Sequence, residues 1–275
     1  MSASFIASAR RRATDAASSD ICCQARPLIN CLMLITWPKR QDMIQQAIAS
    51  FACQTYAHRA LTIVNDGEPC ELSDSMFGAR KLRGTVVRAR AGASIGEKRN
   101  LGARAWPGAS YIASFDDDDF SLPGRLDAHL AAIGDNVWLS AMRKYISITS
   151  LDNIIGFEVG RCYGAGMIST RVIKALEWPH LSYCEDHKLF EAVKAHATFA
   201  TQVVDDDTLT YVHRRHESNA SAAHRQSLWQ GVLPLMIAGA EAMAAPAQVA
   251  TLLAAARGTY LVSAAGGPLH HEVCR

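Results

Sequence analysis

Tyr111-Ile112-Ala113-Ser114-Phe115-Asp116-Asp117-Asp118-Asp119 is a short apolar run that ends in four consecutive carboxylates. Tyr111–Phe115 reads as a strand that runs straight into the aspartates, whereas the longer apolar run Asn30–Thr36 reads as a strand covered on both faces. Adjacent carboxylates raise one another's pKa unless they are solvated or neutralised. Two readings are open from the run itself: a solvated acidic loop, or a seat for a divalent cation with hard oxygen ligands. Mg²⁺ takes one or two protein carboxylates and completes its shell with water and phosphate, so a strand-end aspartate pair suits a nucleoside diphosphate.

Outward from this stretch, short apolar runs alternate with amphipathic segments from Leu28 to about Val204, the pattern of βαβ units. Strands are expected at Asn30–Thr36, Leu61–Val64, Thr85–Arg88 and Tyr111–Phe115, with helices at Gln41–Gln54 and Ile95–Trp106. Further strands are expected at Val137–Lys144, Gly164–Ser169, Phe199–Val204 and Leu209–Val212, the last two around Asp205-Asp206-Asp207. A helix is expected at Glu185–Ala195. Asn65-Asp66-Gly67 and the aspartate run both lie at carboxyl ends of strands, the edge where open, mostly parallel sheets bind ligands.

The bulk properties leave few function classes out. At 275 residues and 49% hydrophobic content the chain buries a full core, and a net charge of +2 selects no partner. Basic residues are scattered, apart from Arg10-Arg11-Arg12, so no nucleic-acid stripe is expected. The eight cysteines show no Cys-x-x-Cys spacing, and several sit in apolar runs. They read as free thiols in a reducing, cytoplasmic setting. Residues 1–26 lack the apolar stretch of a signal peptide and read as a disordered leader. No membrane span is expected, because the longest apolar candidate, Val232–Ala256, is broken by Glu241 and Pro246; peripheral association is left open.

A series of motifs follows in order: Leu34-Ile35-Thr36-Trp37 with Arg40, Gln54-Thr55-Tyr56, Ile63-Val64-Asn65-Asp66-Gly67, and Lys98-Arg99-Asn100-Leu101-Gly102. After the aspartates come Pro123 and Arg125-Leu126, then Cys184-Glu185-Asp186, then Arg215-His216-Glu217-Ser218-Asn219-Ala220-Ser221. The series resembles the family 2 glycosyltransferases over roughly Leu28 to Ser221. That resemblance implies an α/β, GT-A-type, Rossmann-like mixed and mostly parallel sheet flanked by helices. Residues 27–222 would form the glycosyltransferase domain and 223–275 an α-helical C-terminal extension.

The resemblance also implies roles. Thr36, Asp66, Arg99, Asp116 and Asp117 would contact the nucleotide, and Asp66 would accept the ring N–H of uracil. From local sequence Asp66 is equally an Asx turn, and Arg99 equally a surface arginine. Asp118 would hold Mn²⁺ or Mg²⁺, in a register open by one residue, and Asp119 would serve as an outer-sphere partner. His216 would join the metal or the leaving diphosphate, with His213 in competition. Asp186, supported by Glu185, would be the general base of an inverting transfer; its place in a first helical turn is also an ordinary stabilising one. Trp178 and Tyr183 precede that pair and could stack on an acceptor sugar, but apolar packing suits them better.

The expected activity is transfer of one sugar from a nucleotide sugar, preferably UDP-linked, to a saccharide, lipid-linked or other hydroxyl acceptor. Two rivals are a sugar-phosphate nucleotidyltransferase and a degenerate GT-A scaffold. Trp37–Met43 contains no glycine, which disfavours the nucleotidyltransferase's phosphate loop. Departures from the family pattern are Trp37-Pro38-Lys39-Arg40 after the first strand and Glu68 after Asp66-Gly67.

Overall fold

The computed structural model describes residues 26–70, 77, 82–133, 139–150, 153–204 and 211–214. The leader, the Asp205-Asp206-Asp207 turn, His216 and the C-terminal extension lie outside these residues. One mixed sheet runs through the described residues in the order β3-β2-β1-β4-β7-β6-β9-β5, with β8 also on β6. Its strands are β1 (Ile29–Ile35), β2 (Arg59–Asn65), β3 (Gly84–Arg88), β4 (Tyr111–Ser114), β5 (Phe120–Ser121), β6 (Leu139–Ser150), β7 (Asn153–Ser169), β8 (Thr201–Val204) and β9 (Tyr211–Arg214). The described helices are α1 (Gln41–Ala52), α2 (Ile95–Ala103), α3 (Arg125–Ile133), α4 (Thr170–Leu176) and α5 (Glu185–Ala195).

The apolar run of β1 explains the layering. Ile29, Cys31, Met33 and Ile35 pack with Ile44, Ile48 and Phe51 of α1 and Leu126 and Ile133 of α3. Leu32 points to the other face and joins Val172 of α4 with Leu189, Phe190 and Val193 of α5. Alternate residues of one strand thus serve two cores, which is why no polar alternation is visible in its sequence. Gly102 lets α2 lie directly on the sheet, since a Cβ there would sit 2.2 Å from Leu32 Cδ1.

Strands β3, β2, β1 and β4 are parallel, pairing Ile35 with Asn65 and Leu32 with Ser114. Their carboxyl ends therefore share one edge. The second half is mixed: β7 is antiparallel to β4 and β6, whereas β8 and β9 run parallel to β6. Instead of separate strands ending at Lys144 and beginning at Gly164, β6 and β7 form one long hairpin that closes at Ser150–Asn153. Each arm supplies the pairing that its own period did not reveal. The expected helix to Trp106 ends at Ala103, and the last strand lies two residues beyond its expected start. No helix of the described residues is long and apolar enough to cross a membrane.

Candidate functional site

At the shared edge, Asn65 builds the turn after β2. Its Oδ1 accepts from the backbone N–H of Trp37 (3.1 Å) and Gly67 (2.9 Å), and its Nδ2 donates to the carbonyl of Glu68. Gly67 is needed there, because a Cβ would fall 2.1 Å from the Trp37 carbonyl oxygen. Asp66 is thereby held against Thr36, whose hydroxyl donates to Oδ1 at 2.7 Å, while Lys98 Nζ donates to Oδ2 at 2.9 Å. Burial would lift the Asp66 pKa, but the Thr36 and Lys98 bonds outweigh it and hold the group below its usual value. The result is a carboxylate flanked by a hydroxyl and an ammonium.

Helix α2 supplies three successive side chains to three places. Its own N-terminus is closed by a Ser94/Glu97 capping box, so those amides are already used. Lys98 reaches Asp66, as above. Arg99 is 5% exposed and donates to Glu185 (3.1 Å) and Ser114 (2.9 Å), with Asp116 at 3.8 Å. Burial would lower the Arg99 pKa, but the charges of Asp116, Glu185 and Asp186 raise it. Arg99 is therefore a buried strut between the acidic run and α5 rather than a surface arginine. Asn100 clamps the backbone of Trp178 at both ends, donating to its carbonyl (2.7 Å) and accepting from its N–H (2.9 Å). Gly96 also receives the loop, since a Cβ there would lie 1.8 Å from the Pro179 carbonyl oxygen. Trp178 itself is buried, whereas Tyr183 is exposed.

The acidic run is pinned from below. Arg125 is fully buried and donates to the carbonyls of Ser114 and Ala165 (2.7 Å each) and to the Ser121 hydroxyl (2.5 Å). Gln54 and Thr55 hold the next loop through the carbonyls of Ser121, Leu122 and Pro123, which gives the Gln-Thr motif a structural meaning. Asp119 accepts from the Tyr211 hydroxyl and from the Arg214 N–H at 2.7 Å. Both of its oxygens are thus turned into β9. Asp117 and Asp118 face Arg40, whose Nη1 donates to Asp118 Oδ2 at 2.7 Å and whose Nη2 lies 2.9 Å from Asp117 Oδ2.

Burial dominates the electrostatics of the run. It raises Asp116 to about 6, with Arg99 opposing and Asp118 adding to the rise. It raises Asp117 to about 8, with Asp118 adding and Arg40 opposing, and it lifts Asp119 well above the usual range, helped by the charges of Asp118 and Asp116. Such a cluster favours an added cation. Among the described residues no group of three His, Cys, Asp or Glu side chains forms a ready-made metal cage. The arrangement fits a cation held by one or two carboxylates that obtains its other ligands from phosphate and water.

Helix α5 begins at Glu185, after Cys184 in the left-handed conformation (φ 59°). Glu185 turns inward to Arg99, while Asp186 is partly exposed and accepts from the His187 N–H at 2.6 Å. Thr36, Asp66, Arg99, Asp116, Asp117 and Asp118 gather at this edge, and Arg99 links Glu185 to them. His213 lies on β9, next to Arg214. Sequence reasoning did not single out Lys98 as the partner of Asp66, nor Tyr211 or Ser114. The polar side chain beside Arg99 in the first turns of α2 was the available signal for Lys98.

Residues 33–153 match the family model described as Glycosyl transferase family 2. No curated protein matches the chain. Among solved structures it is similar to S. aureus TarS 1–349 in complex with UDP-GlcNAc, at TM-score 0.56 and 15% identity over 86% of this chain and 72% of that one. It is also similar to the mannosyltransferase PcManGT from Pyrobaculum calidifontis in complex with GDP-Man and Mn²⁺, at TM-score 0.55 and 13% identity over 88% and 74%. Two other TarS chains are spanned to 37% and 61% of their length. At these identities the likeness is one of fold.

Proposed function

We propose that this chain, a family 2 glycosyltransferase on a GT-A-type sheet, moves one sugar with inversion from a nucleoside-diphosphate sugar to a hydroxyl acceptor. The observation that carries the reading is the meeting at one sheet edge of Asp66, the Asp117/Asp118 pair and, through Arg99 and Glu185, the start of α5. Asp66 would accept the imino N–H of a base, and Lys98 would donate to the carbonyl beside it. Bases that present a ring acceptor at that place would leave the carboxylate unpaired. Uracil and guanine both satisfy this pattern, whereas adenine and cytosine do not; of the two, the family resemblance favours uracil, so a UDP-sugar is the proposed donor. The complexes of TarS with UDP-GlcNAc and of PcManGT with GDP-Man support a nucleotide-sugar donor in general.

Asp118, with Asp117 beside it, would hold Mn²⁺ or Mg²⁺, which supplies charge to stabilise the departing diphosphate. The Mn²⁺ in the PcManGT complex supports a divalent ion. Asp186, partly exposed at the start of α5, would take the proton of the acceptor hydroxyl as its oxygen attacks the anomeric carbon. Glu185 would orient Arg99 and, through it, Asp116. Residues 27–222 would make up this catalytic unit. The test is a donor screen with Mn²⁺ present, read as released nucleoside diphosphate. UDP release from at least one UDP-sugar, abolished by EDTA, is expected. Release from no nucleotide sugar, together with pyrophosphate formed from NTP and sugar phosphate, would replace this reading with nucleotidyl transfer.

A further inference from the structure

Arg40 stands where the two candidate ligands meet. It lies between β1 and α1 with its backbone in the left-handed region (φ 57°, ψ 34°), a conformation that ordinary side chains rarely adopt. It makes no side-chain cap for α1. Its guanidinium instead spans two carboxylates, donating to Asp118 Oδ2 at 2.7 Å with Asp117 Oδ2 2.9 Å away. The arginine side chain is 26% exposed, so the head can move outward without opening the core. Asp117 and Asp118 are far more buried than their counter-ion. A cation already lies against both carboxylates, one guanidinium nitrogen to each, and it sits on a long, partly solvated side chain.

We propose that Arg40 is the built-in counter-cation of the acidic pair, that a divalent ion must displace it, and that it then passes to the donor's diphosphate. The proposal rests on the metal-dependent reading given above. Two cations cannot share the same carboxylate oxygens without mutual repulsion, so arginine and metal exclude each other there. The displaced guanidinium has a ready partner only when phosphate is present, because its planar fork matches phosphate oxygens. Metal alone must break the Arg40 contacts, whereas metal with nucleotide replaces them. Metal and nucleotide therefore favour each other's binding, and the coupling is reciprocal.

Mn²⁺ binding measured by the electron paramagnetic resonance of the free ion, without any sugar donor, tests this in wild type and Arg40→Asn. Asparagine is chosen because it tolerates the left-handed conformation. Without nucleotide the variant should bind Mn²⁺ about tenfold more tightly, the scale of losing charge-assisted bonds that are partly exposed. UDP should then tighten Mn²⁺ binding by a smaller factor in the variant than in wild type. Equal or weaker Mn²⁺ binding by the variant would overturn the role of Arg40 and leave the metal reading standing. Failure of both proteins to bind Mn²⁺ would overturn both readings. Thermal melts give a second readout: the variant should melt below wild type in EDTA and match it at saturating Mn²⁺. A deficit of equal size in both conditions would mark Arg40 as merely structural and overturn the proposal.

Discussion

Asp186 and Glu185 are adjacent, yet the first turn of α5 sends their carboxylates to different partners. Glu185 is buried and paired with Arg99, so its charge is already committed to a strut. Asp186 is partly exposed, bonded only to the N–H of the next residue among the contacts seen, and close enough for its charge to act on Arg99. A general base must be able to reach a substrate hydroxyl, and only the second of the two is so placed. Asp186→Asn should lower kcat by about 10²–10⁴-fold, the usual contribution of a positioned base, and leave UDP affinity unchanged. Steady-state kinetics and calorimetry check the split, and a variant with full turnover would require a different base. Adjacent acidic residues are visible in sequence, but sequence does not say which one folds inward. The same holds for Arg40 and Asp118, which lie 78 positions apart and meet only in three dimensions.

At the scale of the element, α2 does the organising. Lys98, Arg99 and Asn100 occupy consecutive positions and therefore project in different directions, about 100° apart around the helix. They reach the β2 turn, the acidic run and the loop before α5. Asn100→Ala would remove both bonds to Trp178 and leave a buried N–H and carbonyl to be satisfied. The expected stability loss is about 1–3 kcal/mol, as for an unmade buried hydrogen bond. Because Lys98 and Asp66 are untouched, UDP affinity should hold while kcat falls, and hydrogen exchange should rise over residues 178–184. Most elements were legible from period and punctuation: β1, β2, β4 and α5 lie within two residues of expectation. The exceptions have physical causes. Helix α4 has only 7 residues, too few for two turns of periodic pattern. Helix α3 shows in sequence only as the motif around Arg125, whose burial depends on Ser114 and Ala165 from distant strands.

For the whole molecule, the acidic run is also the seam of the fold. It leaves β4, which belongs to the parallel half of the sheet, and enters β5, which pairs with β9 of the mixed half. Of its four aspartates, Asp119 binds β9 and holds the seam, whereas Asp117 and Asp118 face the site. This division was not legible in sequence, where the four are chemically identical and their register stayed open. A further global consequence comes from His129 on α3. Burial holds it well below the usual imidazole range, helped by the charge of Arg125. The unfolded chain then binds a proton below about pH 6.5 that the native chain refuses, so native stability falls as pH drops. His129→Leu should flatten the acid limb relative to wild type by up to about 1.4 kcal/mol per pH unit, as read from urea midpoints at pH 5 to 7.5. The aspartates act with the opposite sign. Their raised values mean that the native state binds more protons than the unfolded chain between about pH 4 and the raised values, about 6 for Asp116 and about 8 for Asp117, so the metal-free cluster costs stability as pH rises through that window. Burial is the main cause of all three shifts and the charge of Asp118 adds to each, so its removal should reduce them while Asp117 keeps Arg40 paired. Asp118→Ala is therefore expected to melt no lower than wild type in EDTA at pH 7.5, yet to lose the stabilisation that Mn²⁺ with UDP confers on wild type. Tyr211→Phe should do the reverse: removing the hydroxyl from buried Asp119 should lower stability by about 1–3 kcal/mol and spare the Mn²⁺-dependent gain. If both variants lost stability equally in EDTA, Asp118 would belong to the seam rather than to the site, and the division of labour within the run would have to be redrawn.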